Sequence, residues 1–371
     1  METAVWGTVV HPEATFGNTP KGGIEVWISD FLRLSSNRYR LLGADFQEDL
    51  PRNVSNRVTV YPVIQVSMKQ GLLPKSLKFA LHLFTKRRLL QGVLIVHRID
   101  LVWVLRLLRP RAEIILVVHT DLLAQKSIGE RLWRRIPAAI YFAYEKWALS
   151  TVELVTSQAS SDFARVKSLA RKSHLICGWY DHNIFFAEKT QTRENIILWA
   201  GRLEHTKNPL LALHSFAQSG LSNRFRLRFL GTGSLRETIT QEIVCLGLPN
   251  QVELLGYVDQ QELAKHLRQS KILIHTSHFE ATPKIFLEAF GCGMNVVAHE
   301  RNDPEGLCLS GGKGLRAHEY SPEGFGAALN KSADCFSVST SGVPPESRHA
   351  EKVVPNLETM WSAHFAVAPL E

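Results

Sequence analysis

Ile196-Ile197-Leu198-Trp199-Ala200-Gly201-Arg202-Leu203-Glu204-His205-Thr206-Lys207-Asn208-Pro209 decides the fold, because here the chain begins its pattern a second time. Five apolar residues run without a polar break, as in a parallel strand buried on both faces. Gly201 ends the run, and Pro209 reads as the first position of a helix reaching Ser219. The alternation then repeats. Arg226 to Leu230 is a strand closed by Gly231-Thr232-Gly233, with a helix from Ser234 to about Leu246. Val252 to Leu254, Ile272 to His275 and Val296 to Ala298 read as strands, and Gln260 to Gln269 as a helix.

Upstream, the same alternation has already occurred once. Val5 to Val10, Leu41 to Ala44 and Val58 to Val63 read as strands, with a Gly22-Gly23 turn and a helix from about Ile24 to Leu34. Val93 to Val96 and Ile114 to Val118 are continuous apolar runs, followed by a helix around Tyr141 to Leu149 and a strand at Leu154 to Thr156. Two such series predict an α/β protein of two doubly wound, Rossmann-like parallel-sheet domains facing a cleft, with ligand at the carboxyl ends of the strands. The polar stretch Gly178 to Arg193 places the break, giving domains over 1–182 and 183–354. A final helix within about 355–371 is expected to pack back on the first domain.

The 371 residues, 45% of them hydrophobic, suffice for two domains. The longest apolar region, 93 to 118, is interrupted by His97, Arg98, Asp100, Arg106, Arg109, Arg111 and Glu113, so no bilayer span is expected. Val5 to Val10 is too short for a secretory signal and lacks a basic flank. Five cysteines lie far apart with no CxxC pair, which points to a reducing cytoplasm rather than a disulfide or zinc framework. Part of the net charge of +8 is concentrated: Lys69 to Arg88 holds six basic residues and no acid, with Leu72, Leu73, Leu77, Leu81 and Phe84 at helical spacing. Such a segment is either an ordinary helix with a solvated charged face or a peripheral contact with an anionic membrane. No aromatic-basic motif accompanies it, so nucleic acid is not an expected partner.

The chemistry lies in His278-Phe279-Glu280-Ala281-Thr282-Pro283-Lys284-Ile285-Phe286-Leu287-Glu288-Ala289-Phe290-Gly291-Cys292-Gly293. Thr282-Pro283 reads as an N-cap and first helical residue, and Gly293 as the stop. Glu280 then sits in the loop before the helix and Glu288 on its second turn. Carboxylates accept hydrogen bonds from hydroxyls, and a helix N-terminus faces an anion, a combination suited to a sugar phosphate. Arg202 and Lys207 add two cations in the loop after a strand, where Arg clamps phosphate oxygens and Lys supplies a point charge.

From Ile197 to about Leu315 the chain resembles the family 4 retaining glycosyltransferases of the GT-B fold. Gly201-Arg202-Leu203 with Lys207 is similar to the family's phosphate motif, and Gly231-Thr232-Gly233 to its Gly-x-Gly turn. Val252 to Val258, with Gly256-Tyr257, resembles its base-side strand and loop. Glu280 and Glu288 match its Glu-x7-Glu motif. In the first half, Thr19-Pro20-Lys21-Gly22-Gly23-Ile24-Glu25 resembles the first glycine loop, Val117-Val118-His119-Thr120-Asp121 the strand-end histidine motif, and His97-Arg98 is a second candidate; Glu145 and Ser157 to Ser160 fit further on. The chain departs from the family at Cys177 to Asp181, at Ala281-Thr282-Pro283, and at Arg301-Asn302, where two glycines are usual.

The resemblance implies transfer of a hexose-type sugar from a nucleotide diphosphate sugar to a hydroxyl, on a saccharide or lipid-linked saccharide of cell-surface polysaccharide, lipopolysaccharide or glycolipid synthesis. It assigns Arg202 and Lys207 to the diphosphate, with backbone amides near Gly22, Gly23 and Thr282. Glu288 is assigned to the ribose, Gly256-Tyr257 to the base, Glu280 to the sugar, and His119 to the donor sugar or the acceptor. It implies no cofactor and no metal, and the chain contains no DxD. A nucleotide-sugar 2-epimerase, a sugar phosphorylase and a non-catalytic partner subunit of the same fold are the competing expectations.

Overall fold

The computed structural model describes residues 5–12, 23–45, 52–65, 75–119, 137–158, 160–188, 192–280, 282–310, 314–336, 344 and 346–365. The chain divides into two compact units, Met1–Cys177 with Ala350–Glu371, and Gly178–His349. The sequence boundaries of 182/183 and about 354/355 lie within a few residues of these.

The first unit is built on an eight-stranded sheet in the order β3-β4-β2-β1-β5-β6-β7-β8. The strands are β1 Gly7–Val10, β2 Tyr39–Asp45, β3 Arg52–Ser55, β4 Val58–Gln65, β5 Val93–Val96, β6 Ile114–Val118, β7 Leu154–Ser157 and β8 Ser173–Leu175. All neighbours pair in parallel except the edge hairpin β3–β4. The chain winds outward from β1 to β4, returns past β1 to β5, then continues to β8. Right-handed crossovers therefore place α1 (Gly23–Leu34) on one face. They place α2 (Lys75–Thr85), α3 (Val102–Leu108), α4 (Ala138–Thr151) and α5 (Ser160–Leu169) on the other. Phe79, Leu83, Val102, Leu105, Leu149 and Val166 from those four helices share one core with the strands.

α12 (Ala350–Phe365) closes the first unit against α1, with Trp361 and Phe31 ring centroids 5.2 Å apart. Its Glu358 is 5% exposed and is satisfied by the α1–β2 turn. It accepts hydrogen bonds from the Ser36 amide at 2.8 Å, the Asn37 amide at 3.3 Å and the Tyr39 hydroxyl at 2.8 Å. Burial, then this carboxylate, push the Tyr39 hydroxyl well above its ordinary pKa.

The second unit is a six-stranded, all-parallel sheet in the order β11-β10-β9-β12-β13-β14. The strands are β9 Ile196–Ala200, β10 Arg226–Leu230, β11 Val252–Gly256, β12 Ile272–Ile274, β13 Asn295–Ala298 and β14 Gly314–Arg316. The connecting helices are α6 Pro209–Gln218, α7 Arg236–Cys245, α8 Gln260–Gln269, α9 Lys284–Gly291, α10 Leu307–Ser310 and α11 Pro322–Asp334. Strand order reverses between β9 and β12, which makes their carboxyl ends the crevice of this sheet. Where the chain enters and leaves the unit, Tyr180 bridges His349. The Tyr180 amide donates to the Arg348 carbonyl at 3.1 Å, and the His182 and His349 rings stack at 4.0 Å.

Three expectations are corrected. α9 begins at Lys284 with Pro283, in an extended conformation, at its N-cap and no side-chain cap. Thr282 is not that cap; its hydroxyl donates to Glu305 instead. The basic segment is described from Lys75, Lys69 lying outside, and α2 turns Phe79 and Leu83 inward while Leu81 and Phe84 are exposed. The terminal helix starts at Ala350, ahead of the expected 355. The stop at Gly293 holds: its φ is +78°, its amide bonds to the Phe290 carbonyl, and the Met294 amide reaches back to that of Ala289, a Schellman ending.

Candidate active site

At the carboxyl edge of the second sheet, the loops after β9, β10 and β11 are bound to one another beyond the strands. The Gly201 amide donates to the Leu230 carbonyl at 3.0 Å, that of Leu203 to Thr232 at 2.9 Å, and that of Gly231 to Gly256 at 2.6 Å. This contact is so close that a Cβ on Gly231 would lie 1.8 Å from the Gly201 carbonyl oxygen. Glycine is thus required there for loop-to-loop approach within the protein.

Arg202 leaves this bound platform as an exposed side chain with no ion pair among the described residues. Five residues on, a single turn His205–Lys207 ends at Asn208, whose left-handed φ of +46° turns the chain into α6. Lys207 pairs with Glu280 of the loop after β12. His275, at the end of β12, places Nε2 3.1 Å from the same carboxylate oxygen. Burial alone would raise the Glu280 pKa. The Lys207 ammonium and the hydrogen bond from His275 outweigh it and hold the carboxyl far below the usual range. The sequence did not single out His275; the signal was its position at a strand end.

Buried hydrogen bonds hold these loops in place. Thr276 donates to the Asn208 carbonyl at 2.8 Å and accepts from Trp199 Nε1 at 3.1 Å. The His278 amide donates to the Thr206 carbonyl at 3.1 Å. Asn302, fully buried, donates to the carbonyls of His275 at 3.1 Å and Ser277 at 3.0 Å, and accepts from the His299 amide at 2.9 Å. One of the two residues departing from the family pattern therefore fixes the strand end that carries His275. Its neighbour Arg301 lies over the Tyr320 ring, 5.2 Å from the centroid.

Glu288 sits on the second turn of α9 and is 5% exposed. Nearby, burial first and then charges that include Glu288 push the Cys292 thiol up to about 12, which leaves it protonated and unreactive. Gly256, with φ of +80°, ends β11, and Tyr257 beyond it is 44% exposed. Thr282 reaches Glu305, which is paired with Arg348 at 2.8 Å. Ala281 lies outside the described residues.

In the first unit, Gly22 lies outside the described residues, and Gly23 is the first residue of α1 with open space around it. His119 ends β6, and both its ring nitrogens are engaged. Nδ1 is 2.9 Å from the Gln158 side-chain oxygen, and Nε2 is 2.7 Å from His97 Nδ1. With that oxygen as acceptor, His119 carries its proton on Nδ1 and accepts from His97. His97 Nε2 is then the bare nitrogen, buried and without a hydrogen-bond partner among the described residues.

The indole of Trp27 packs edge-on against both rings, and His11 lies 6.0 Å from His97. Burial leads in keeping all three histidines neutral: His119 falls to about 4, and His11, helped by Arg98, to about 3. His97 is likewise held well below its ordinary value. Glu145, by contrast, is used internally, buried against Arg165.

Two doubly wound parallel sheets in this connection define the GT-B fold. Residues 181–335, most of the second unit, match the family model described as glycosyl transferases group 1. The structure is similar over 97% of this chain and 99% of the other to sucrose-phosphate synthase from Thermosynechococcus elongatus, with a TM-score of 0.81 at 13% identity. It is similar to WaaG, a glycosyltransferase involved in lipopolysaccharide biosynthesis, over 98% and 99% of the two chains, with a TM-score of 0.69 at 12% identity.

Among curated relatives, an alpha-1,4-N-acetyl-D-galactosaminyltransferase of Campylobacter jejuni, acting on a diNAcBac-PP-undecaprenol-linked saccharide, is 28% identical over 127 residues, 34% of this chain and 33% of its own. D-inositol 3-phosphate glycosyltransferase of Geodermatophilus obscurus is 26% identical over 144 residues, 36% of this chain and 32% of its own. The matched segment thus spans about a third of the length of these relatives.

Proposed function

We propose that the protein is a retaining glycosyltransferase that moves a hexose-type sugar from a nucleotide diphosphate sugar to a hydroxyl acceptor, without a metal. The observation that carries this reading is the cluster of Lys207, Glu280 and His275, with Arg202 in the same loop as Lys207, at the strand ends of the unit that matches the family model. As the glycosidic bond breaks, the leaving diphosphate gathers negative charge. Arg202 and Lys207 stabilise that charge, and Glu280 accepts hydrogen bonds from the transferred sugar. Glu288 takes the ribose hydroxyls and Gly256-Tyr257 the base. His119, held by His97 and Gln158, contacts the donor sugar or positions the acceptor.

The acceptor in this reading is a saccharide or lipid-linked saccharide of cell-surface polysaccharide, lipopolysaccharide or glycolipid synthesis, the kind of substrate named for the Campylobacter relative. A cytoplasmic site of action fits the five unpaired cysteines. The test is a panel of UDP-, GDP- and ADP-sugars monitored for nucleoside diphosphate release, with and without saccharide acceptors. Release from one donor, stimulated by acceptor, is expected. Absence of nucleoside diphosphate binding at millimolar concentration would overturn the reading. Release of an epimerised nucleotide sugar, or a requirement for inorganic phosphate, would replace it with an epimerase or a phosphorylase.

A further inference from the structure

Thirteen large hydrophobic side chains are exposed among the described residues, and seven of them lie on three neighbouring helices of the first unit. Single exposed hydrophobics are ordinary; a concentration on one layer is not. Leu81 and Phe84 project from α2, Trp103 and Leu107 from α3, and Ile140 and Trp147 from α4. The spacings of four residues on α3 and seven on α4 make each pair an outward stripe opposite the buried one. The three helices cover the same face of the sheet and share its core. Tyr144 of α4 ties them further: its hydroxyl bonds to the Ile99 carbonyl just before α3 at 2.7 Å, and its ring leans on Trp147 at 5.6 Å.

Among the described residues, the exposed charge on the three helices themselves is basic. α2 and α3 contain no acid, and the single acid of α4, Glu145, is 1% exposed and bound to Arg165. Arg87, Arg88, Arg111 and Lys146 are exposed and form no ion pair among the described residues. Lys86 is not among them, because it donates to the Pro62 carbonyl. Glu113, at the start of β6, is the exposed acid within 75–119.

We propose that the outer surface of α2, α3 and α4 docks on an anionic lipid bilayer, with Trp103 and Trp147 at headgroup depth and the arginines and lysine against the lipid phosphates. Tryptophan favours the membrane–water boundary, and basic side chains gain there from the surface potential. A second copy of the chain fits worse, since a two-fold contact would bring this basic face against itself. No helix among the described residues is long and apolar enough to cross the membrane, so the contact is peripheral. The inference is independent of the donor chemistry, and its test reads binding without any nucleotide.

The full chain is sedimented with vesicles of phosphatidylcholine containing about one third phosphatidylglycerol, and with phosphatidylcholine alone, at low and high salt. Binding to the anionic vesicles, weakened by salt, is expected. Arg87→Gln with Arg88→Gln should weaken it about fivefold per charge removed. Trp103→Ser with Trp147→Ser should weaken it as well while leaving the thermal transition in place. If the tryptophan pair disturbs the fold, the arginine pair decides alone. No binding to anionic vesicles, or binding unchanged by the arginine substitutions, overturns the proposal. A dimer that dissociates on the tryptophan substitutions would assign the face to a second copy instead.

Discussion

Lys207 and Glu280 lie 73 residues apart in the chain and meet in one ion pair. Each belongs to a motif that the family resemblance assigns to a different part of the donor, the diphosphate for one and the sugar for the other. The structure joins them through a shared carboxylate oxygen that also meets His275. Their charges are mutually compensated; under the proposed function, a phosphate that recruits Lys207 would also loosen Glu280 for a hydroxyl.

Lys207→Ala should therefore destabilise the second unit as well as impair catalysis. The loss should be about 1–3 kcal/mol, between the values for surface and fully buried pairs, because the side chains are 28% and 16% exposed. Glu280→Gln in that background should restore part of it, which a urea-unfolding double-mutant cycle would read. The depressed Glu280 pKa also contributes stability that is present above pH 4.5 and lost as pH falls below it. Lys207→Ala should flatten that dependence; an unchanged acid limb would contradict the pairing.

Arg202 offers the opposite profile. Its side chain is exposed, so Arg202→Ala should change stability by no more than about 0.5 kcal/mol. Nucleoside diphosphate release should nevertheless fall by about 100-fold to 1000-fold, as for loss of one preorganised donor to a developing anion. Wild-type turnover in this variant would remove Arg202 from the mechanism.

Asn302→Ala removes three buried hydrogen bonds and leaves the His275 and Ser277 carbonyls without that donor. A loss of about 2–3 kcal/mol is expected, read as a lowered melting temperature. Asn302→Asp keeps the volume but puts a carboxylate oxygen against a carbonyl, and should be no better. A melting temperature equal to wild type in both would show that the loop is held by other contacts.

The histidines of the first unit predict acid sensitivity. Their folded-state pKa values are depressed from 6.5, to about 4 for His119 and about 3 for His11. The unfolded chain takes up these protons first, so stability present above pH 6.5 should decline progressively as pH falls toward 4. Each histidine contributes a slope of up to about 1.4 kcal/mol per pH unit in that window. Denaturation followed by Trp27 environment should show His97→Asn with a shallower slope than wild type; an equal slope would count against burial of a neutral ring.

Much of the frame is legible in the sequence because parallel strands buried on both faces leave unbroken apolar runs. Ile196 to Ala200 and Ile114 to Val118 each read directly as the strands they form. Three of the four edge strands, Arg52–Ser55, Ser173–Leu175 and Gly314–Arg316, have no such run and no strand signal in the sequence; the fourth, Val252–Gly256, has one. At the site, Glu280 and Glu288 stood out by spacing, but Asn302 and Gln158 act through contacts across long sequence separations that no local pattern encodes. Thr282 misled for a related reason. A threonine before a proline satisfies the capping rule, yet Glu305 from a later loop takes its hydroxyl. Leu81 and Phe84 share helical spacing with a core face, and only the packing of Phe79 and Leu83 shows which stripe goes inward.

The bridge between Tyr180 and His349 makes the second unit an insertion within the first. Its two ends emerge side by side, which sets how the gene can be cut. A fragment stopping at Cys177 would lack α12 and the Glu358 contacts that close the first unit. Residues 178–349, by contrast, begin and end at one place, so a short linker from His349 to Gly178 should permit circular permutation. Joining Cys177 to Ala350 would leave the first unit as one continuous chain in the same way.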